Sequence, residues 1–202
     1  MPSGDSAPVC ISSFKKCDAL ISAGLYGLKR DYRRFRKGKN NMNNDFTEIR
    51  QASSSDIAAI AKLIADNFDR SMPEHSPAVL EKFKSHCSAE ILESQLKWKQ
   101  VFVVCHERTI IGTGSLVNFG TPEQAKWSIS NFFIAVAEHG KGYGAKLLNH
   151  LFTAARSQNV VTLYVPSSRT AIEFYRKFGF RKDAVQPPED GADEITWMSR
   201  SL

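Results

Sequence analysis

No run of eighteen apolar residues occurs anywhere in the 202-residue chain, so the sequence offers no candidate for a membrane-spanning helix. Nor does it open with the charged, apolar and small-residue succession of a secretory leader, and a cytoplasmic location is the expectation. Cysteine is scarce. Cys10, Cys17, Cys87 and Cys105 follow no disulfide framework and no Cys-x-x-Cys spacing. Two of them stand beside histidines, as His86-Cys87 and Cys105-His106, but neighbours on a strand point to opposite faces and can hardly share a metal. No metal site is expected, and no internal repeat is visible.

Net charge is in short supply over most of the chain. The formal net charge is +6. Residues 1–45 hold nine Lys/Arg and four Asp, while residues 46–202 hold eighteen basic and seventeen acidic side chains. The basic character therefore belongs to an N-terminal extension, which opens with Pro, Ser, Gly and Asp and favours disorder. A helix over residues 14–37 is plausible, followed by a polar Asn-rich linker at residues 40–44. Lys29, Arg30, Arg33, Arg34, Arg36 and Lys37, interleaved with Tyr32 and Phe35, read either as a solvated tail or as a patch for nucleic acid or another anionic surface. The compact domain is expected over residues 46–202.

Residues 130–152 organise that domain. Phe132, Phe133, Ile134, Ala135 and Val136 form an apolar run too short for a helix and suited to a buried strand. Glycines follow at 140, 142 and 144. Beyond them Ala145, Leu147, Leu148, Leu151, Phe152 and Ala155 fall on one face of a helix. Three glycines would weaken a helix interior, so they belong to a turn at the helix start. Unpaired N–H groups and the positive end of the helix dipole meet there, which suits a phosphate.

Two familiar phosphate loops fail on their neighbours. A dinucleotide fingerprint wants an acidic residue about twenty positions on, where this chain has Val165, Pro166 and Ser167. A nucleoside-triphosphate loop needs Gly-Lys-Ser/Thr, and the corresponding place holds Ala145, Lys146 and Leu147.

Around this centre the pattern predicts a first strand at residues 46–50 and a helix striped by Ile57, Ile60, Ala61, Ile64 and Phe68. Ser76-Pro77 starts a second helix, and a third runs through Ile91, Leu92 and Leu96. Residues 101–105 and 110–117 form an antiparallel hairpin, with Gly112 and Gly114 marking a bulge or room for a ligand. A further strand at residues 160–165 follows the glycine helix and lies parallel to residues 127–136. Ser167-Ser168 is read as the cap of a helix over residues 169–178 that stops at Gly179. Closing strands follow at 180–181 and 195–198, either side of an acidic, proline-bearing loop. The fold class is mixed α+β, a largely antiparallel sheet with one central parallel pair, flanked by helices.

The glycine turn after a strand, the segment Ser168, Arg169, Thr170, Ala171, Ile172, Glu173, Phe174, Tyr175, and Phe178-Gly179-Phe180 just beyond it together resemble the GCN5-related N-acetyltransferases. The resemblance runs from about residue 48 to 202. It implies that the backbone of His139, Gly140, Lys141, Gly142, Tyr143, Gly144 and Ala145 cradles the pyrophosphate of acetyl-coenzyme A. His139 stands where the family usually has Arg or Gln, and is either a phosphate contact or an exposed turn residue. Ile134 and Val136 are implied to contact the pantetheine arm and acyl carbonyl through their backbone, at a point where the two parallel strands splay. Ser168 replaces the usual Asn and keeps a hydroxyl for pantetheine. Tyr175 is implied to be the general acid that protonates the departing thiolate.

The expected activity is direct transfer of an acetyl group from acetyl-coenzyme A to a primary amine of a small molecule or peptide. A non-catalytic coenzyme A-binding module whose basic tail contacts nucleic acid or an acidic partner is the alternative. Glu74, His75, His86 and Glu123 lie near the expected acceptor side, but none is assigned as general base. The helical flap at residues 66–98 is expected to choose the acceptor, and a homodimer is left open.

Overall fold

The structure is a computed structural model, and it describes residues 46–71, 76–121, 123–183 and 195–202. The basic extension, Glu74, His75 and the acidic loop before the last strand lie outside the described residues.

Seven strands form one sheet: β1 (Thr47–Gln51), β2 (Gln100–His106), β3 (Thr109–Asn118), β4 (Trp127–Ile134), β5 (Thr162–Ser168), β6 (Arg181–Lys182) and β7 (Ile195–Ser201). Their spatial order is β1-β2-β3-β4-β5-β7-β6. Each neighbouring pair is antiparallel except β4 and β5. The helices are α1 (Ile57–Ser71), α2 (Pro77–Ser85), α3 (Ala89–Gln95), α4 (Tyr143–Ser157) and α5 (Ile172–Lys177). The mixed, mostly antiparallel fold class read from the sequence is the one observed.

Alternation along the strands sorts the core into two layers. Phe102 and Val104 of β2 join Leu116, Ile129, Phe132, Ile134, Leu163, Val165 and Met198 against α4 and α5. Val101, Val103 and Cys105 point the other way and join Phe133 beneath Ile57, Ile60, Ile64, Phe68, Phe83 and Leu92 of α1 to α3. Helix α4 buries Leu147, Leu148, Leu151, Phe152 and Ala155, nearly the stripe expected of it. Burying each large side chain contributes on the order of 1.5–3 kcal/mol.

Local chemistry fixes the element ends. Ser53 precedes a 3-10 turn over Ser54–Asp56. Asp56 accepts hydrogen bonds from the Ser53 N–H at 2.8 Å and from both Arg50 guanidinium nitrogens at 2.7 and 2.8 Å. The hairpin between β2 and β3 turns on Glu107 and Arg108, both with positive φ, as a two-residue hairpin turn requires. Gly112 and Gly114 leave no space for a ligand. A Cβ on Gly112 would stand 2.6 Å from Ile134 Cδ1, and one on Gly114 would meet Phe132 and Leu147 at 3.1 and 3.2 Å. They let β3 accept the large side chains of β4 and α4, beside a bulge.

Three expected boundaries move. Strand β4 ends at Ile134, and Val136 opens a short 3-10 turn, Val136–Glu138, closed by Glu138 N–H to Ala135 O at 2.8 Å. The β-branched preference of Val136 yields to the turn that leads into the glycines. Strand β5 starts at Thr162, two residues later than expected, with Val161 exposed. It then runs on to Ser168, which pairs with Ile195, so Ser167 and Ser168 belong to the ladder rather than to a helix cap. The Ser168 carbonyl then accepts the Ala171 N–H at 3.2 Å in the turn that follows, and α5 begins only at Ile172.

Candidate active site

The parallel pair opens as it runs. Strands β4 and β5 are in register only at Trp127 with Leu163 and Ser128 with Tyr164. Beyond that point β4 stays with β3 as far as Gly112↔Ile134, and β5 stays with β7 as far as Ser168↔Ile195. The two strands part into a slot between Ile134 and Ser168. A bulge in β4 contributes: β3 advances two residues from Thr113 to Ser115 while β4 spends three, from Phe133 to Ser130. Asn131 absorbs the extra residue in a left-handed conformation, φ 48°, which Asn tolerates better than most residues.

At the end of β4 the chain enters the glycine turn. Gly140 and Gly142 have φ of 77° and 90°, and a Cβ at either position would find no atom within 4 Å. The turn is thus open above its backbone and held in a conformation that disfavours side chains. Helix α4 starts at Tyr143, with Lys146 N–H bonded to Gly142 O at 3.0 Å. The N–H groups of Gly142, Tyr143, Gly144 and Ala145 are the four that an α-helix start leaves without an intrahelical acceptor. They converge on the open side with the positive end of the dipole.

The side chains of the turn point elsewhere. The Tyr143 ring is buried and packs 5.8 Å from the His106 ring, while the Lys146 ammonium lies 5.3 Å from the centre of its face. Lys141 Nζ is paired with both carboxylate oxygens of Glu138 at 3.0 Å. His139 folds back on the strand, its Nε2 facing the Ile134 carbonyl oxygen at 2.8 Å, a geometry in which the ring N–H donates. Ile134 O therefore already has a donor, and His139 braces the lip of the slot. This turn can serve a phosphate through its backbone.

Tyr175 sits on α5 with no exposed surface. Its ring contacts Phe132 of β4 at 6.1 Å, Phe174 at 5.3 Å and Phe180 at 5.5 Å. The hydroxyl is buried and has no hydrogen-bond partner. Burial pushes the phenol well above its ordinary titration range, so the hydroxyl keeps its proton at neutral pH. Ser168, at the end of β5, is buried, and its Oγ lies 3.0 Å from Thr170 Oγ1.

The other sequence candidates scatter. His86 is half-buried with its ring against Lys82 O, and Glu123 is exposed. Cys105 and His106 do face opposite sides of the sheet, in the α1 layer and beside Tyr143. Burial raises the Cys105 thiol, which makes it a core side chain. Among the described residues no group of three His, Cys, Asp or Glu is placed to hold a metal ion.

A helix-start cradle thus lies at the mouth of a splayed parallel pair, with a buried unpaired phenol on the helix beyond. The acetyltransferase (GNAT) domain family matches residues 71–199, and the chain belongs to it. Among curated proteins the chain is 28% identical over 136 residues to the amino-acid acetyltransferase of Neisseria meningitidis serogroup B, covering 67% of this chain and 28% of that protein. It is 25% identical over 160 residues to the amino-acid acetyltransferase of Ralstonia nicotianae, covering 78% of this chain and 32% of that protein. The chain thus spans about a third or less of these relatives.

Solved structures agree on the fold. The PaiA N-acetyltransferase from Thermoplasma acidophilum, in complex with coenzyme A, superposes with a TM-score of 0.66 at 17% identity, over 77% of this chain and 99% of that one. N-acetylglutamate synthase from Neisseria gonorrhoeae, complexed with coenzyme A and N-acetylglutamate, gives 0.61 at 24% identity, over 78% of this chain and 35% of that one. The donor for this family is acetyl-coenzyme A, and the open Gly140–Gly142 backbone, the free helix-start amides and the orphaned Tyr175 hydroxyl fit it. Among the described residues no helix is long and apolar enough to cross a membrane.

Proposed function

We propose that this protein transfers the acetyl group of acetyl-coenzyme A directly to a primary amine. The observation that carries the reading is the parting of β4 and β5 beside the open glycine turn. In this reading the amides of residues 140–145 hold the pyrophosphate and the backbone at Ile134 and Val136 aligns the pantetheine arm. The Ser168 hydroxyl takes a second hydrogen bond from that arm or gives one to it. The neutral amine attacks the carbonyl, the carbon–sulfur bond breaks, and the Tyr175 phenol gives its proton to the leaving thiolate, a role worth ~10²–10⁴ in rate; the proton that the nitrogen loses passes to water, and a proton from water restores the phenol.

The relatives' names make the α-amine of an amino acid the first acceptor to test. The experiment is a thiol-release assay with acetyl-coenzyme A over amino acids, polyamines, arylalkylamines and peptides. Acetylated product with stoichiometric thiol supports the reading. Coenzyme binding with no release on any of these amines contradicts it.

A further inference from the structure

One set of buried polar side chains has no task in this account. Ser115 and Ser130 face each other across the β3–β4 ladder, both fully buried, and neither Oγ has a hydrogen-bond partner. Next to them at the bulge, Asn131 gives its amide to Gln95 Oε1 of α3 at 2.8 Å, and its own Oδ1 is unpaired. A buried polar atom left without a partner is costly, and each one calls for an explanation, a bound water, an ion or a functional role among them.

Their position is specific. Ile129 belongs to the α4 layer, so by alternation Ser130 is turned to the opposite face, two residues past the last β4–β5 pair at Ser128. It stands on β4 just beyond the point where that strand leaves β5. Across the parallel pair Leu163 and Val165 of β5 and Met198 of β7 fill the α4 layer, which turns Tyr164 of β5, opposite Ser128, and Trp197 of β7, opposite Pro166, to the same face as Ser130. The Phe119 ring joins these two at 5.7 and 5.6 Å, and Trp197 Nε1 is a further buried polar atom without a partner. On this face β3 and β4 carry neutral oxygen atoms, and β5 and β7 carry aromatic rings.

Resting on the acetyltransferase reading, we propose that this face of the sheet, where β4 and β5 begin to part, seats the ammonium group of the acceptor, through Ser115, Ser130 and Asn131 oxygens on the β3–β4 side and Tyr164 and Trp197 on the β5–β7 side. An ammonium has three N–H donors and accepts nothing, which matches oxygen acceptors. Aromatic faces attract it as a cation. None of the five side chains carries a charge. A carboxylate in their place would hold the amine protonated, whereas this seat binds the ammonium and lets it lose a proton before attack. The acceptor class is a primary amine recognised by hydrogen bonds and ring faces rather than by a counter-ion.

The test uses the full chain with the Ser115→Ala/Ser130→Ala double variant and, separately, Asn131→Gly, which keeps the left-handed backbone. KM for the amine should rise by at least about tenfold while KM for acetyl-coenzyme A stays within about twofold. The melting temperature of the double variant should hold or rise, because unpaired buried hydroxyls are removed. An unchanged amine KM in both variants overturns the proposal, and so does a parallel rise in both KM values with a lowered melting temperature. If no amine is turned over, n-propylammonium chloride is compared with n-propanol in thermal shift on the coenzyme A-loaded protein. Stabilisation by the ammonium that the double variant loses supports the seat even where the acetyltransferase reading has failed. Equal responses of wild type and variant overturn it.

Discussion

At the scale of single residues, Tyr175 carries the sharpest expectation. Its hydroxyl is buried and unpaired in the free protein, so Tyr175→Phe removes an oxygen that costs stability and, in the proposed reaction, the proton for the thiolate. We expect turnover to fall ~10²-fold or more with acetyl-coenzyme A affinity nearly unchanged, and the melting temperature to hold or rise. Steady-state kinetics beside calorimetry checks both, and an unchanged turnover removes the assigned role.

Gly142 tests the cradle. Its φ of 90° disfavours any side chain, and Gly142→Asp adds a negative charge where phosphate should lie. Acetyl-coenzyme A binding should be lost, with only a modest stability cost of ~1–2 kcal/mol for the left-handed position; Gly142→Ala controls for the backbone. Normal affinity in the Asp variant contradicts the cradle.

Asp56 gives a pH expectation. Hydrogen bonds and ion pairing to Arg50 hold its carboxyl well below the usual carboxylate range. A depressed native value stabilises the fold above the unfolded value of ~3.9, and that contribution is lost as pH falls from there through the native value. Asp56→Asn should therefore melt lower than wild type at pH 7, with the two curves converging in acid. Melting temperatures measured from pH 7 down to 2 decide this, and a constant difference across the range contradicts it.

At the scale of elements, the slot depends on how β3, β4 and α4 interlock. Gly112 has no room for a Cβ beside Ile134 and Val104, so Gly112→Ala should cost ~1–3 kcal/mol by overpacking. It should also shift Ile134 and raise KM for acetyl-coenzyme A, whereas a loss of stability alone would separate packing from the slot.

The elements also show what the sequence made legible. The glycine turn, the helix after it and the order of strands follow from local periodicity and from backbone needs that only glycine meets. The bulge left a faint trace, the polar Ser130-Asn131 pair inside an apolar strand, whereas the facing of Ser115 and Ser130 is set by long-range register. Ser168 looked like a helix cap because its long-range pairing with β7 has no local signature. His139 bracing Ile134, and the full burial of Tyr175, are tertiary facts that spacing does not encode.

At the scale of the molecule, the nearly neutral domain and the basic extension make separable claims. The domain should respond to donor alone, since a ligand at a hundred times its dissociation constant adds ~2.7 kcal/mol. For a domain of this size that is a melting shift of ~5–10 °C. Removing residues 1–45, which carry nine Lys/Arg against four Asp, should leave that shift and the acetyl transfer intact. If the extension contacts nucleic acid, the full chain should show salt-sensitive retention on RNA or heparin that the shortened chain loses.

The most direct test of the central claim is thiol release from acetyl-coenzyme A by the full chain across the amine panel, read with mass detection of the acetylated amine. The account predicts one acetylated product per thiol released, abolished by Gly142→Asp and slowed ~10²-fold or more by Tyr175→Phe. Tight binding of acetyl-coenzyme A with no amine-dependent thiol release would contradict it.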